Sequence, residues 1–159
     1  MISVQRIPRL LWRFFHFPPR LAYKLGLGPL IGRMILLLTT YGRRSGLARI
    51  TPLQYEEING CFYIAAARGE RTDWLRNLVA NPNVVLRVGS RNIKGEARVI
   101  RDPEAIADFL QLRLERHPRM IGTILRAAGM PSTPTRADLT AYARERPLVE
   151  IRPSVDAQG

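Results

Sequence analysis

The residues best suited to chemistry lie in the stretch LLLTTYGRRSGLARITPLQY, positions 36–55. Arg43, Arg44 and Ser45 stand between Gly42 and Gly46, and Arg49 follows at the start of the next apolar run. The glycines let the chain turn sharply and expose backbone N–H groups, while the guanidiniums and the hydroxyl add charged and neutral donors. Together they make an anion cradle suited to a phosphate or a carboxylate. A solvated turn whose arginines simply face water is the plain alternative.

A second group of candidates sits in AAARGERTDW, positions 65–74. Ala66 and Ala67 end a strand in small residues, where a flat ring can approach the backbone, or where a helix simply packs closely. Arg68 follows, and then a helix start at Asp73 and Trp74. Trp74 is either a core aromatic or the wall of a ring pocket. Asn77, one turn after Asp73, belongs either to that pocket or to a solvated helix face.

Other chemistries find no support. The cluster GLGPLIG at 26–32 has no strand before it and carries Pro29, so it reads as a loop and not as a dinucleotide fingerprint. There is no Walker motif, no nucleophile elbow and no histidine pair at metal spacing. His16 and His117 read as surface or helix-end residues. Cys61 reads as an inert thiol heading a buried strand. No metal site is expected and no catalytic side chain can be named, so any catalysis has to come from a bound organic cofactor.

The bulk charge points the same way. The 159 residues carry 25 basic against 13 acidic side chains, a net charge of +12, and only Lys24 and Lys94 are lysines. Arginine forks onto phosphate and carboxylate more readily than lysine. No acidic residue precedes Glu56. Nucleic acid, an acidic membrane and a phosphorylated small molecule all suit such a chain, as does an ordinary arginine-rich surface. A nucleic-acid module is disfavoured, because aromatics are few in the basic strand region and no helix-turn-helix or RNP-like pattern occurs. The single cysteine rules out an internal disulfide and suggests a cytoplasmic setting.

These residues need elements to position them. In the first segment, residues 1–33, Ile7, Leu10, Leu11, Phe14 and Phe15 recur at helical spacing, with Arg6, Arg9, Arg13 and His16 on another face. This basic amphipathic helix either lies on a membrane surface, placing the protein at the inner face, or packs on the protein's own core. A second short helix is expected over 20–33. Its uncharged apolar runs are too short to span a bilayer. From Met34 the pattern turns to strands over 34–40, 48–57 and 61–67, with a hairpin at Asn59-Gly60. A helix over 72–82 is expected, with Thr72 as N-cap and Asp73 in its first turn. Two strands joined by a turn at 89–92 follow, then a helix opened by Pro103 at its first position. Helical pieces over 119–129 and 135–146 lead to a closing strand over 147–153. The order predicts an α+β domain, mainly antiparallel β, over 34–152, with a loose tail at 153–159.

The ordered run LLLTTYGRRSGLARITPL, FYIAAARG and DWLRNLVANPNVVLRVG resembles the deazaflavin (F420)-dependent nitroreductase and quinone reductase family over roughly residues 34–101. The resemblance implies a split β-barrel, related to FMN-binding oxidoreductases, and coenzyme F420 with its planar deazaflavin, phosphodiester and polyglutamate tail. It implies an oxidoreductase that passes hydride to a small-molecule quinone, enone or nitro compound. It also implies that Arg43, Arg44 and Ser45 hold the phosphate and first carboxylates, and that Arg49, Thr51, Pro52 and Leu53 run beside phosphate and ring. Ala66, Ala67 and Arg68 would line the ring's edge, with Asp73, Trp74 and Asn77 closing the pocket. The loop RGERTD is shorter than in nitroimidazole-reducing members, and Leu75 follows Trp74 where those carry tyrosine. The rival on the same fold is an FMN-binding protein or a flavin or haem carrier. A homodimer suits this barrel class.

Overall fold

Alternating burial, one side chain in and the next out, marks the strands. In β1 (Ile35–Tyr41) Leu36, Leu38 and Thr40 are fully buried while their neighbours are half-exposed, the period of two that a strand imposes. The computed structural model describes residues 35–155, so the expected N-terminal helices and the end of the tail lie outside the described residues. β2 (Ala48–Gln54) returns antiparallel to β1, with Tyr41 opposite Ala48 and Ile35 opposite Gln54. β3 (Glu56–Ile58) and β4 (Cys61–Ala65) form a tight hairpin in which Ile58 faces Cys61 across Asn59 and Gly60. Both turn residues have positive φ, 51° and 79°, which is why Asn-Gly occupies the turn. After a short 3₁₀ turn at Gly69–Arg71 comes α1 (Asp73–Ala80). β5 (Asn83–Val88) and β6 (Arg91–Ile100) pair next. Val88 faces Arg91, so this turn is Gly89-Ser90 alone, tighter than the sequence suggested. Three helices follow, α2 (Pro103–Arg116), α3 (Pro118–Ala127) and α4 (Arg136–Ala143), before β7 (Leu148–Pro153). Asp102 caps α2 by accepting from the Glu104 N–H at 3.1 Å, with Pro103 at the first position as expected.

The seven strands form one antiparallel sheet in the order β2-β1-β5-β6-β7-β4-β3. Leu53, on the end strand β2, packs into the same apolar cluster as Phe62 and Ile64 of β4, so the sheet curls on itself into a half-barrel. Trp74, Leu75 and Leu78 of α1 bury in that inner cluster. The outer face carries a second core, in which Ile106, Phe109 and Leu110 of α2, Ile121 and Leu125 of α3 and Leu139 of α4 meet Leu148 of β7. β7 serves both layers because its side chains alternate: Val149 and Ile151 point inward and Leu148 outward. The expected fold class is therefore the one observed. Two local expectations change. The strand over 48–57 is interrupted at Tyr55, whose ring packs on Phe62 with centroids 5.9 Å apart, and Cys61 is half-buried at the hairpin end. No helix among the described residues is long and apolar enough to cross a membrane.

Two buried carboxylates fasten the outer layer. Glu56 of β3 accepts from Arg113 Nε at 3.3 Å and from Arg116 Nη1 at 3.3 Å, and His117 Nε2 lies 2.9 Å from it. His117 is at a helix end, as expected, where α2 gives way to α3. Glu150 of β7 accepts from Arg98 at 2.8 Å, from Arg152, and from the Tyr63 hydroxyl at 3.4 Å. Burial pushes the Glu150 carboxyl up, but the hydrogen bonds from Arg98 and Arg152 outweigh burial and leave it below its ordinary value. A carboxyl held low stabilises the fold above its unfolded pKa, about 4.3, and that contribution is lost as pH falls through the folded value. Glu150→Gln is thus expected to flatten the acid side of the stability profile. Urea midpoints measured between about pH 7 and pH 3 check this, and parallel profiles for the two proteins would remove the role.

Candidate functional site

The connection from β1 to β2 is built as a closed turn. Gly42 N–H donates to Leu47 O and Gly46 N–H donates to Gly42 O, each at 2.8 Å. Gly46 has φ of 70°, and a Cβ on Gly42 would stand 2.6 Å from Ser45 Oγ. Gly46 is therefore required by the backbone of this turn, and a side chain at Gly42 would displace the Ser45 hydroxyl. Ser45 Oγ accepts from Leu47 N–H at 3.2 Å, which leaves its own O–H to donate outward.

The first turns of α1 clip onto this loop. Arg43 donates from its backbone N–H and from Nη1 to Asn77 Oδ1, at 3.2 and 3.0 Å, and from Nη2 to Asp73 Oδ1 at 3.2 Å. Asn77 in turn donates from Nδ2 towards Thr40 Oγ1 at 3.5 Å. Asn77 and Thr40 are both buried, so Asn77 is an internal clip and not part of a solvated helix face. Asp73 is 84% exposed, so its ion pair with Arg43 adds little by itself and the buried amide carries the attachment. Thr72 does occupy the N-cap position, but its hydroxyl donates to Gly69 O at 3.0 Å and does not cap the helix.

Between turn and helix lies an open cleft of about 480 Å3, within the usual range for small-molecule sites. Of the residues singled out in the sequence, Arg43, Arg44, Ser45, Arg49, Thr51, Asp73, Trp74 and Asn77 line it. Trp74 is a core residue, 9% exposed, that also lines the cleft. Arg43 is already neutralised by Asp73, whereas the side chains of Arg44 and Arg49 are exposed and make no hydrogen bond or ion pair with other described residues. The cleft is thus cationic through two particular guanidiniums.

The remaining candidates lie elsewhere. Leu53 packs on the inner core, and Pro52, opposite Leu37, does not reach the cleft. Ala66 is buried, and its N–H donates to Pro147 O at 2.8 Å. Ala67 O accepts from Arg146 Nε at 3.2 Å, and Arg68 is exposed beside it. These small residues allow the close passage of the chain entering β7. Gly42, the first glycine of the cradle, lines the cleft as well, and so do Thr40 and Ile50, which were not anticipated. Thr40 had a legible signal: it is a polar residue on the inward phase of β1, directly opposite Arg49.

Residues 22–120 match the family model of the F420H(2)-dependent quinone reductases. The chain belongs to that family. Among solved structures it is similar to an F420-H2-dependent reductase, FDR-A, with 26% identity and a TM-score of 0.53 over 76% of this chain and 95% of that one. A domain-swapped dimer matches with 22% identity and a TM-score of 0.53, covering 85% of this chain and all of that one. The haem storage protein HutZ from Vibrio cholerae shares the fold at 16% identity and a TM-score of 0.54, covering 86% and 90% of the two chains. As a member of the quinone reductase family the protein is an F420-dependent oxidoreductase, the first of the readings its sequence supported.

Proposed function

We propose that the cleft beside α1 seats F420 by its anionic part, and that the electron acceptor is a quinone or a related electrophile such as an enone or a nitro compound. The pair of unpaired guanidiniums carries this reading. The Arg44 and Arg49 side chains face an open cleft without partners among the described residues, while the third arginine of the same turn is neutralised by Asp73. That donor set, with the outward O–H of Ser45, fits a phosphodiester and the first carboxylates of the tail. Trp74 and Thr51 would bound the ring. Arg43, Asp73 and Asn77 act through position: they hold the turn so that Arg44 and Ser45 aim into the cleft. Pro52, Leu53, Ala66, Ala67 and Arg68 do not line this cleft.

Reduced F420 supplies a hydride when bound, and a quinone taking that hydride and one proton becomes a hydroquinone. The carboxylate lining the cleft, Asp73, is exposed and ion-paired, so solvent is the natural proton source in a cleft this open. The chain's work is to bind, to orient and to place positive charge. The domain-swapped dimer among the similar structures supports a homodimer, and the exposed Leu47 and Ile50 at the β2 edge give two copies an apolar surface to cover.

Titrating the purified protein in parallel with F420 and with FMN tests the cofactor, read by cofactor fluorescence. Saturable binding of F420 in preference to FMN, followed by quinone-dependent loss of the reduced cofactor, is the expected result. Preferential FMN binding would displace the proposal in favour of a flavin protein on the same fold.

A further inference from the structure

On the far side of Arg43 and Arg44 lies a second cleft of about 350 Å3, reached by Glu70, Leu75, Arg76, Val79 and Arg101. It shares its two bordering arginines with the first cleft. We infer that this second cleft receives the outer glutamates of the F420 tail, and that Glu70 is an internal competitor that sets how strongly tail length counts. The inference rests on the reading that the first cleft seats the cofactor's phosphate.

The charges are arranged for a chain of carboxylates. Arg76 is exposed and its side chain, like that of Arg44, makes no hydrogen bond or ion pair with other described residues. Two like charges beside one cleft repel one another, and a ligand carboxylate between them relieves that repulsion. Arg101 already shows how this surface takes a glutamate: its Nε and Nη2 donate to the two oxygens of Glu70 at 2.7 and 3.3 Å, a forked grip. Both partners of that pair are about half-exposed, so water competes for it and an incoming carboxylate displaces Glu70 at little cost. Val79, 56% exposed beside Arg76, offers an apolar wall to the methylenes of glutamyl units. Arg49, Arg44 and Arg76 thus line two adjoining clefts, with Arg101 held in reserve by Glu70.

The test compares dissociation constants of the full chain for F420 bearing several glutamates and for the same deazaflavin phosphodiester without them, by fluorescence titration. The readout is the ratio of the two constants. In wild type the long-tailed form is expected to bind more tightly. Arg76→Gln should lower the ratio by about two- to fivefold, the size of one ion-pair contact at an exposed site. Glu70→Gln should raise it, because Arg101 is released, and added salt should shrink every difference. An unchanged ratio in Arg76→Gln with normal cofactor binding overturns this inference alone. Failure of wild type to bind any form overturns the cofactor reading of the first cleft, and this one with it.

Discussion

Replacing Arg44 and Arg49 together with glutamine is expected to weaken F420 binding by about 3 kcal/mol or more, on the order of a hundredfold, while leaving thermal stability unaltered. Each guanidinium removed is worth about 1.5–3 kcal/mol when it donates to a charged acceptor. The two side chains make no hydrogen bond or ion pair with other described residues, so the folded protein loses no such contact when they go. Arg43→Gln makes the informative contrast. It breaks contacts with Asp73 and Asn77, so it should lower the melting temperature as well as the affinity. Fluorescence titration and thermal unfolding of both variants separate the roles. Wild-type affinity in the double variant would take the anion out of this cleft.

Glu56→Ala should destabilise the fold by about 3–5 kcal/mol, the usual consequence of removing one partner from a buried ion pair. Arg113 is 6% exposed, and burial works against its charged form while Glu56 works for it. An arginine does not escape by deprotonating, so its charge would remain buried without a counter-ion. Arg116 and His117 would lose their common acceptor as well. Because β3 is an edge strand, this cluster is a principal tie between that edge and helices α2 and α3. Urea denaturation measures the loss. The double variant Glu56→Leu, Arg113→Met should recover most of it, since an apolar pair of similar volume avoids desolvating charge. A loss below about 1 kcal/mol in Glu56→Ala would mean that water already reaches the cluster.

Neither cluster was visible in the sequence, and the reason is distance along the chain. Glu56 finds Arg113 57 residues later, and Arg43 finds Asp73 30 residues later. No local pattern marks which of many arginines a given carboxylate will meet. The same holds for Ala66 and Ala67. Small residues at a strand end permit close approach, but whether a ring or another backbone approaches depends on where the segment from Arg146 into β7 passes.

What the sequence determined by itself is what neighbouring residues enforce. Asn59-Gly60, able to take positive φ, made the hairpin, Pro103 opened α2, and the apolar run at 34–40 marked β1 as a strand. The glycine-bounded arginine stretch was likewise legible as a sharp turn, because its shape comes from hydrogen bonds within the turn itself. The tertiary structure alone decided which of its arginines remain for a ligand. Packing α1 against the turn brought Asp73 and Asn77 to Arg43 and left Arg44 and Arg49 unpaired among the described residues. A guanidinium's usefulness to a ligand depends on whether the fold has already given it a partner, and that partner is chosen in space.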